Sequence, residues 1–475
     1  MSERLETDIC VIGGGSGGLS VAAGAVQMGA RVVLVEKGEM GGDCLNYGCV
    51  PSKSIIAAGH VADVIRRGGR FGVNGMEPTV DFLRVREHIR EVIAGIAPQD
   101  SVARFEGLGV RVIQDTAVFT GPREVRAGGT TVHAKRFVIA TGSTAAVPPI
   151  DGIHDVPFLT NESIFELGER PEHLIVIGGG PIGSELAQAH RRLGAKVTLL
   201  EMFRVLGKDD PEVTVFARRR MVEDGVEIRE GIKISSVSKT GNGISVEIED
   251  RGTRLKIEGS HLLGAAGRQV NVEGLGLKAA GVAYSPSGIE VDARLRTSNK
   301  RIFAIGDVAG GLQFTHVAGY HAGIVIRNAL FRLPAKASND FVPWVTFTDP
   351  EIAHIGLTEE QAKERHGGKI RVLRWSFEEN DRARAERETE GLIKIVVGKR
   401  GKILGASIGG PKAGELLQPW VLAISQGLKI GAMANMIAPY PTLGEVSKRA
   451  AGSYYTDALF GERTRKIVRF LLKFG

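Results

Sequence analysis

The stretch from Asp8 to Glu36, DICVIGGGSGGLSVAAGAVQMGARVVLVE, decides the fold. It begins with a short apolar strand, passes through a glycine-rich turn into a helix, and ends in a second strand that closes on Glu36. In such a unit the first glycine makes the tight turn, the second lets a pyrophosphate approach the backbone, and the third lets helix and strand pack. The spacing therefore predicts a dinucleotide on Gly13, Gly15 and Gly18, with Glu36 at a ribose hydroxyl pair.

The same unit recurs at an offset of 165 residues, from His173 to Glu201, as HLIVIGGGPIGSELAQAHRRLGAKVTLLE. Gly178, Gly180 and Gly183 stand at the glycine positions, and Glu201 ends the second strand. A single glycine motif is weak support, because glycine-rich turns also form for purely structural reasons. Two copies in register predict two dinucleotide sites.

Two of the three cysteines lie shortly after the first unit, in GGDCLNYGCVPSK, residues 41–53. A metal site at Cys44 and Cys49 would need further Cys or His ligands, whereas Cys10 lies inside the first strand and is predicted to be a buried core thiol. The segment CVPSK is typical of a helix start, where the helix dipole favours a thiolate at Cys49. Two dinucleotides and a cysteine pair predict an electron relay from a nicotinamide through a flavin to a disulfide, and no metal site.

Length and composition bound the class of protein. The chain has 475 residues, of which 43% are hydrophobic and 24% charged, which predicts a folded protein of several domains. The N-terminal residues show no signal peptide and no apolar run approaches the roughly 18 residues of a membrane span, so we expect a cytoplasmic location. The net charge is +7, but the basic residues are spread along the chain among 54 acidic ones. No nucleic-acid-binding motif occurs, so no nucleic-acid partner is expected.

The last segment, GERTRKIVRFLLKFG (461–475), mixes basic and apolar residues. A basic amphipathic helix can make a peripheral contact with an anionic membrane surface. The alternative is a C-terminal helix that docks on its own protein or on a partner subunit. We favour docking on the protein itself or on a partner subunit.

The cysteine stretch matches the pattern G-G-x-C-x-N-x-G-C-x-P-S-K and resembles the class I pyridine nucleotide-disulfide oxidoreductases, the family of dihydrolipoamide dehydrogenase, glutathione reductase and mercuric reductase. The resemblance covers nearly the whole chain. It extends to both glycine motifs and to three further segments: VIATGS (138–143), GAAGRQVN (264–271) and TSNKRIFAIGDVAG (297–310).

This resemblance implies the cofactors FAD and NAD, with NADP as the alternative nicotinamide. It implies that Cys49 forms the charge-transfer contact with the flavin while Cys44 exchanges with substrate. Lys53 and Glu185 match the family's ion pair beside flavin N5, the alternative being two unrelated exposed charges. The further motifs supply the remaining cofactor-binding residues, with Asp307 at the ribityl chain: Thr141, Gly142, Gly267, Arg268, Gly306 and Asp307.

The implied architecture is an α/β fold with two Rossmann-like dinucleotide-binding domains and a C-terminal α+β dimerisation domain. FAD binding would use residues 1–146 and 269–340, and the NAD(P) domain would be the insertion 147–268. Residues 341–475 would form the interface of a two-fold homodimer. Two segments support this division: AAVPPIDG is typical of a linker, and GLIKIVVGKRGKILGASIGG alternates like an antiparallel sheet.

The choice of nicotinamide depends on the acid that ends the second unit. Glu201 places a negative charge where the 2′-phosphate of NADP would lie, and repulsion there favours NADH. Arg204 follows closely in the sequence and would weaken that preference.

The acceptor is uncertain from sequence because one motif departs from the family pattern. Relatives that turn over dithiols end in H-P-T-x-x-E, where a His held by a Glu exchanges a proton with the thiol of the other subunit. Here the stretch is IAPYPTLGEVSKRA, with Tyr440 in the His position, Ala438 where a second His is often found, and Glu445 retained. Mercuric reductases also have Tyr there, but they use a vicinal cysteine pair near the C-terminus that this sequence does not show.

Three hypotheses follow. The first is an NAD(P)H-dependent reductase that passes electrons through Cys49 and Cys44 to a small disulfide, a quinone or a thiophilic electrophile. The second is a dihydrolipoamide dehydrogenase in which another group, or Glu445 through water, replaces the His. The third is a flavoprotein electron donor that docks on a membrane or partner through its basic tail.

Overall fold

The computed structural model of the chain describes residues 3–241 and 243–474. The chain forms two compact units. Unit 1 contains the residues up to Met202 together with Gly231–Asn339, and unit 2 contains Phe203–Glu230 together with the residues from Asp340 onward. The division of unit 1 at residues 146/147 and 268/269 into a flavin and a nicotinamide domain stays a prediction.

The helices of the described part lie in both units. They are α1 (Ser16–Gln27), α2 (Gly42–Asn46), α3 (Cys49–Arg67), α4 (Phe82–Ile96), α5 (Val102–Gly107), α6 (Pro181–Arg192), α7 (Pro211–Glu223), α8 (Thr315–Ala329), α9 (Glu359–His366), α10 (Asp381–Glu386), α11 (Ala413–Leu416), α12 (Gln418–Ser425), α13 (Ile430–Asn435), α14 (Glu445–Ser453), α15 (Thr456–Leu459) and α16 (Glu462–Leu471). The predicted helix start at Cys49 is confirmed.

The strands follow the same chain order. They are β1 (Glu3–Ile12), β2 (Val32–Glu36), β3 (Arg111–Gln114), β4 (Ala117–Gly121), β5 (Glu124–Ala127), β6 (Thr130–Ile139), β7 (Ser143–Ala145), β8 (Phe158–Leu159), β9 (His173–Ile177), β10 (Lys196–Glu201), β11 (Val226–Glu230), β12 (Lys233–Thr240), β13 (Gly243–Asp250), β14 (Thr253–Gly259), β15 (His261–Gly264), β16 (Arg268–Val270), β17 (Tyr284–Ser285), β18 (Gly288–Ile289), β19 (Ile302–Ala304), β20 (Trp344–Thr346), β21 (Glu351–Gly356), β22 (Arg371–Ser376), β23 (Leu392–Val397) and β24 (Ile403–Gly410).

The first sheet of unit 1 has the order β3-β2-β1-β6-β5-β4, and β19 pairs with β6. Strand β1 pairs in parallel with both β2 and β6. Its residues Cys10 and Ile12 face one apolar core while Ile9 and Val11 face another. A parallel strand buried on both faces is apolar at every position, which explains the continuous run ICVI. The thiol of Cys10 is fully buried, as predicted, and burial raises its pKa to about 12.

The second glycine unit builds another parallel sheet in unit 1, in which β10, β9, β15 and β8 are neighbours in that order. An antiparallel sheet of β12, β13 and β14 packs beside it through one shared apolar core. Both strand–turn–helix–strand repeats predicted from the sequence are therefore present, as β1-α1-β2 and β9-α6-β10.

Unit 2 is organised around an antiparallel sheet with the order β20-β21-β24-β23-β22. The predicted pairing within GLIKIVVGKRGKILGASIGG is confirmed, because β23 and β24 are antiparallel neighbours. Helices cover the sheet, and the indole of Trp420 is fully buried among them, with Nε1 donating a hydrogen bond to Ser447 Oγ at 3.0 Å. The fold is thus the mixed α/β class that the sequence predicts. No helix within residues 3–241 and 243–474 is long and apolar enough to cross a bilayer.

Candidate active site

The two glycine turns of unit 1 have the same geometry. Gly13 and Gly178 have φ angles of +109° and +108°, which a side chain would strain. A Cβ on Gly18 or Gly183 would lie 1.9 Å from the carbonyl oxygen of the first glycine of its own turn. Both positions therefore require glycine for the reasons that the motif predicts.

The helix that follows each turn begins with backbone N–H groups available to an anion. Gly15 caps α1 and Gly180 caps α6, and within the described residues neither cap receives a side-chain hydrogen bond. A Cβ built on Gly180 would have no protein atom within 4 Å, so the backbone there lies open to an approaching group. These turns fit the pyrophosphates of two dinucleotides.

The acids at the strand ends also occupy equivalent positions. Glu36 accepts a hydrogen bond from the backbone N–H of Gly14, and Glu201 accepts one from Gly179 at 2.7 Å. Each carboxylate is therefore held against its own glycine turn, next to the helix N-terminus. That is the place from which a carboxylate can reach the ribose of a dinucleotide bound on the turn.

The cysteine pair lies at the junction of two helices in unit 1. Cys44 is in α2, and Cys49 is the first residue of α3. Both thiols are free, and Cys49 is exposed. The hydroxyl of Thr315, the first residue of α8, lies 3.6 Å from the Cys49 sulfur. The sulfur of Cys49 is thus close to the N-termini of two helices, whose dipoles favour a thiolate.

The two thiols have opposite acidities. The pKa of Cys49 falls to about 6, because Cys44 hydrogen-bonds to it and the Thr315 hydroxyl and the Lys53 ammonium add to the effect. The pKa of Cys44 rises, because it shares that hydrogen bond with Cys49 and is partly desolvated. At neutral pH the pair therefore consists of a Cys49 thiolate and a protonated Cys44.

Removing the Thr315 hydroxyl should make the Cys49 thiolate less stable. We expect Thr315→Val to raise the pKa of Cys49 by up to about one unit, the size of a modest hydrogen bond to a charged group. Thr315→Ser retains the hydroxyl and should leave the pKa near that of the parent. The pH dependence of alkylation of the reduced enzyme measures the shift, and equal profiles for all three proteins would show that Thr315 is a bystander.

Lys53 and Glu185 form an ion pair rather than two separate exposed charges. Lys53 Nζ lies 2.8 Å from Glu185 Oε2, joining α3 to α6. The Glu185 side chain is only 6% exposed, whereas that of Lys53 is 36% exposed. A buried carboxylate holds the ammonium in place beside the cysteine helix, where its positive charge stabilises the Cys49 thiolate.

A second polar cluster connects segments that are far apart in the sequence. Ser143 Oγ donates to Asp307 Oδ2 at 2.5 Å, and Arg268 Nε donates to Ser143 Oγ at 2.7 Å. Arg268 also pairs with Asp43 at 3.1 Å, next to Cys44. Burial raises the pKa of Asp307, and the hydrogen bond from Ser143 opposes that shift. The cluster fixes the predicted flavin-binding Asp307 beside the cysteine helix pair.

Backbone contacts place the remaining predicted cofactor residues. Asn271 ties the VIATGS segment down, because its side chain donates to the carbonyl of Thr141 at 2.9 Å and its N–H donates to that of Gly142 at 3.0 Å. The backbone N–H of Gly306 donates to Nδ1 of the buried His321 at 3.3 Å. Gly267 accepts a hydrogen bond from the backbone of Ala146 at 3.0 Å.

Sequence reasoning missed several of these partners: Asp43, Ser143, Asn271, Thr315 and His321. Ser143 and Asn271 lie inside segments that match family motifs, so their place in those motifs could have indicated a role at the cofactor site. No sequence pattern indicated Thr315 or His321, because α8 approaches the cysteines only in the folded chain.

Tyr440 and Glu445 lie in unit 2. Tyr440 is 70% exposed, and its hydroxyl donates to Asp381 Oδ2 at 3.2 Å. Asn380 caps α10, and its Nδ2 donates a hydrogen bond to the carbonyl of Thr442 at 3.0 Å. This contact holds the segment PYPT (439–442) next to Asp381. The hydrogen bond to Asp381 raises the pKa of Tyr440, so the phenol stays protonated at neutral pH. Glu445 is the first residue of α14.

Within residues 3–241 and 243–474, no group of three or more His, Cys, Asp or Glu side chains is arranged to hold an ion.

Two family models match the chain. One, described as pyridine nucleotide-disulphide oxidoreductase, matches residues 7–322. The other, described as the dimerisation domain of the same oxidoreductases, matches residues 342–451. The predicted arrangement of dinucleotide-binding and dimerisation regions is confirmed at this level.

Relatives with two different names are equally similar to the chain. Mercuric reductase from Streptomyces lividans is 35% identical over 458 residues, covering 95% of this chain and 96% of the relative. Dihydrolipoyl dehydrogenase from Geobacillus stearothermophilus is 35% identical over 454 residues, covering 94% of this chain and 96% of the relative. Overall identity therefore does not select an acceptor.

Solved structures agree with the fold. The Cu(II) complex of the HOCl-induced flavoprotein disulfide reductase RclA from Escherichia coli matches with a TM-score of 0.84 and 28% identity, over 94% of this chain and 99% of that chain. LpdA from Mycobacterium tuberculosis matches with a TM-score of 0.85 and 27% identity, over the same shares.

Proposed function

The chain belongs to the pyridine nucleotide-disulphide oxidoreductase family, and we propose that it passes electrons from NADH through Cys49 and Cys44 to a small disulfide, a quinone or a thiophilic electrophile. Members of the family bind FAD and use NAD(P)H, so the protein is an FAD-dependent oxidoreductase, and its dimerisation domain supports a homodimer. FAD, when bound, supplies the two-electron step between nicotinamide and thiols.

The residues of the chain divide the thiol chemistry between two positions. Cys49, with a pKa of about 6, is the thiolate at working pH and is held by Lys53 and Thr315. Cys44, whose pKa is raised, keeps its proton until an acceptor arrives. With a disulfide acceptor, the Cys44 sulfur loses that proton as it attacks one acceptor sulfur, the acceptor S–S bond breaks, and the first acceptor thiol leaves with the proton. The Cys49 thiolate then attacks the Cys44 sulfur of this mixed disulfide, so the Cys44–Cys49 disulfide closes and the second acceptor sulfur leaves as a thiolate.

One observation supports an acceptor that needs little proton transfer, namely the environment of Tyr440. In the proposed role this residue stands where relatives place a catalytic His. Its phenol donates to Asp381 and its pKa is raised, so it cannot take a proton near neutral pH. Its single O–H is used on Asp381, and its oxygen can still act as a weak ligand to a soft electrophile.

An acceptor panel tests this proposal. The purified FAD-loaded enzyme is assayed with NADH and, separately, with oxidised glutathione, lipoamide, a soluble quinone, Hg²⁺ and Cu²⁺. We expect kcat/KM to be highest for a quinone, a metal ion or oxidised glutathione. A clear preference for lipoamide would contradict the proposal and support the dihydrolipoamide dehydrogenase alternative.

The second candidate is a dihydrolipoamide dehydrogenase. Its support is Glu445, which is retained at the N-terminus of α14, and the relatives of that name. In this alternative a water held by Glu445 would take the proton that the missing His takes elsewhere.

Glu201 gives a separate prediction about the nicotinamide. Glu201→Arg replaces a carboxylate by a cation at the proposed site of the 2′-phosphate, so the ratio of kcat/KM for NADPH to that for NADH should rise at least about tenfold, or ~1.4 kcal/mol. Glu258→Arg, at an exposed acid of β14, is the charge-matched control and should leave the ratio unchanged. If the parent enzyme already prefers NADPH, Arg204 and not Glu201 determines the nicotinamide preference.

A further inference from the structure

No other described part of the chain covers the apolar face of the C-terminal helix α16. Ile467, Phe470 and Leu471 lie on one face of the helix. Phe474, just beyond the helix end, continues the spacing i, i+3, i+4, i+7, and its ring lies 5.1 Å from that of Phe470. Each is at least half exposed, with Phe474 at 75%, and α16 has no buried residue. Docking on the described remainder of its own chain is therefore excluded, and docking on a partner subunit stays the alternative.

The opposite side of α16 is basic. Arg465, Lys466 and Arg469 lie on a separate arc of the helix, Lys473 follows the helix end, and all four are exposed. Arg463, one turn before Ile467, lies on the side of the apolar residues. One acid, Glu462, stands at the helix N-terminus, where it suits the dipole. A helix with aromatic and aliphatic residues on one face and cations on the other is the pattern of a segment that lies in a membrane interface.

A hydrogen bond near its beginning ties the helix to the preceding part of unit 2. Thr464 Oγ1 donates to the carbonyl of Ala458 in α15 at 2.6 Å. Helix α15 is held in turn by Arg371, which donates to the carbonyl of Tyr454 at 2.9 Å and to Asp457 at 3.0 Å. Helix α15 and its hydrogen bonds to Arg371 thus hold the N-terminal end of α16 in place.

We propose that α16 binds the surface of an anionic lipid bilayer, with Ile467, Phe470, Leu471 and Phe474 among the acyl chains and the basic residues at the headgroups. The helix has ten residues, about 15 Å, so it can lie along a bilayer but not cross it. A homodimer presents two such helices, and binding of the second is favoured once the first is bound.

Two observations favour a bilayer over the partner subunit. The match to the dimerisation model ends at residue 451 and α16 begins at Glu462, so the helix lies outside the matched region, with ten residues between them. The charge of α16 is also one-sided, because four cations stand against one acid: Arg463, Arg465, Lys466 and Arg469 against Glu462. The charge complements phosphate headgroups directly.

Vesicle sedimentation of the FAD-loaded, full-length protein tests the proposal. Phosphatidylglycerol/phosphatidylcholine vesicles should pellet the parent protein at low salt, and pure phosphatidylcholine vesicles should pellet much less. Lys466→Gln with Arg469→Gln should weaken partitioning about 25-fold, at about fivefold for each basic side chain near the surface. The matched control is Arg365→Gln with Lys369→Gln, two exposed residues near the end of α9, which should bind like the parent.

A second variant, Phe470→Ser with Leu471→Ser, separates the bilayer from the subunit interface. It should abolish sedimentation with vesicles while the protein remains a dimer with full NADH-dependent flavin reduction. Dissociation of this variant into monomers would show that α16 covers a partner subunit and would overturn the proposal. Failure of the parent to pellet with anionic vesicles would overturn it as well, and neither result would affect the proposed electron relay.

Discussion

Replacing Cys44 by serine is expected to lower NADH-dependent turnover of the acceptor at least about 10³-fold, because it removes the exchange thiol. The FAD-loaded variant should show a long-wavelength thiolate-to-flavin absorbance without any added reductant, since Cys49 can no longer be tied up in a disulfide. Cys49→Ser should lose that absorbance in every redox state. Spectra of both variants before and after addition of one equivalent of NADH measure the effect.

The pH dependence of the same absorbance tests the assigned thiolate. In the two-electron-reduced parent enzyme, which retains the hydrogen bond from Cys44, it should appear as the pH rises through about 6, where Cys49 ionises, and should remain at higher pH. Cys10→Ala is the control, because Cys10 is buried in β1 and lies outside the relay, so its spectra should match those of the parent. If Cys44→Ser and Cys49→Ser both behave like the parent, the disulfide relay is refuted.

The dinucleotide-binding part of the molecule could be predicted from the sequence because its determinants are local. Gly13 and Gly18 act within a single turn, and Glu36 follows the same turn by one helix and one strand. Steric limits on a backbone turn depend on residue type and spacing, both of which the sequence displays. The recurrence of the unit 165 residues later made the prediction specific.

The surroundings of the thiols could be predicted only in part. Lys53 is four residues after Cys49, one turn along α3, so their proximity is local in the sequence. Thr315, in contrast, reaches Cys49 only through the packing of α8. Asp381 likewise contacts Tyr440 across 59 positions of sequence. Contacts of this kind depend on tertiary structure, and no local pattern announces them.

The C-terminal helix shows a different limit. Its amphipathic pattern was evident, but a pattern gives the faces of a helix and not what covers them. The exposure of Phe470 and Leu471 in the folded chain is what excluded docking on the same unit. What covers the apolar face of α16 can therefore be decided by the vesicle-binding experiment.

Restoring the histidine of the family motif should change the acceptor range more than any other single substitution outside the thiols. Oxidising a dithiol requires a base that accepts a proton near neutral pH, for which His, with a reference pKa of about 6.5, is suited and Tyr440 is not. Asp381 and Glu445 would stabilise the protonated form of a His at this position. We therefore expect Tyr440→His to raise dihydrolipoamide oxidation at pH 7.5 by up to about 10²–10⁴-fold, the usual contribution of general acid–base catalysis.

The matched control is Tyr440→Phe, which keeps the ring, removes the hydroxyl donor to Asp381 and offers no base, so it should give no gain with dihydrolipoamide. Flavin reduction by NADH should be the same in all three proteins, because this loop lies outside the nicotinamide turn. A gain in Tyr440→His that follows a pH profile with one ionisation near that of His would assign the gain to the new base. If the parent already oxidises dihydrolipoamide as fast as a His-bearing relative measured beside it, the acceptor proposal fails and the dehydrogenase alternative replaces it.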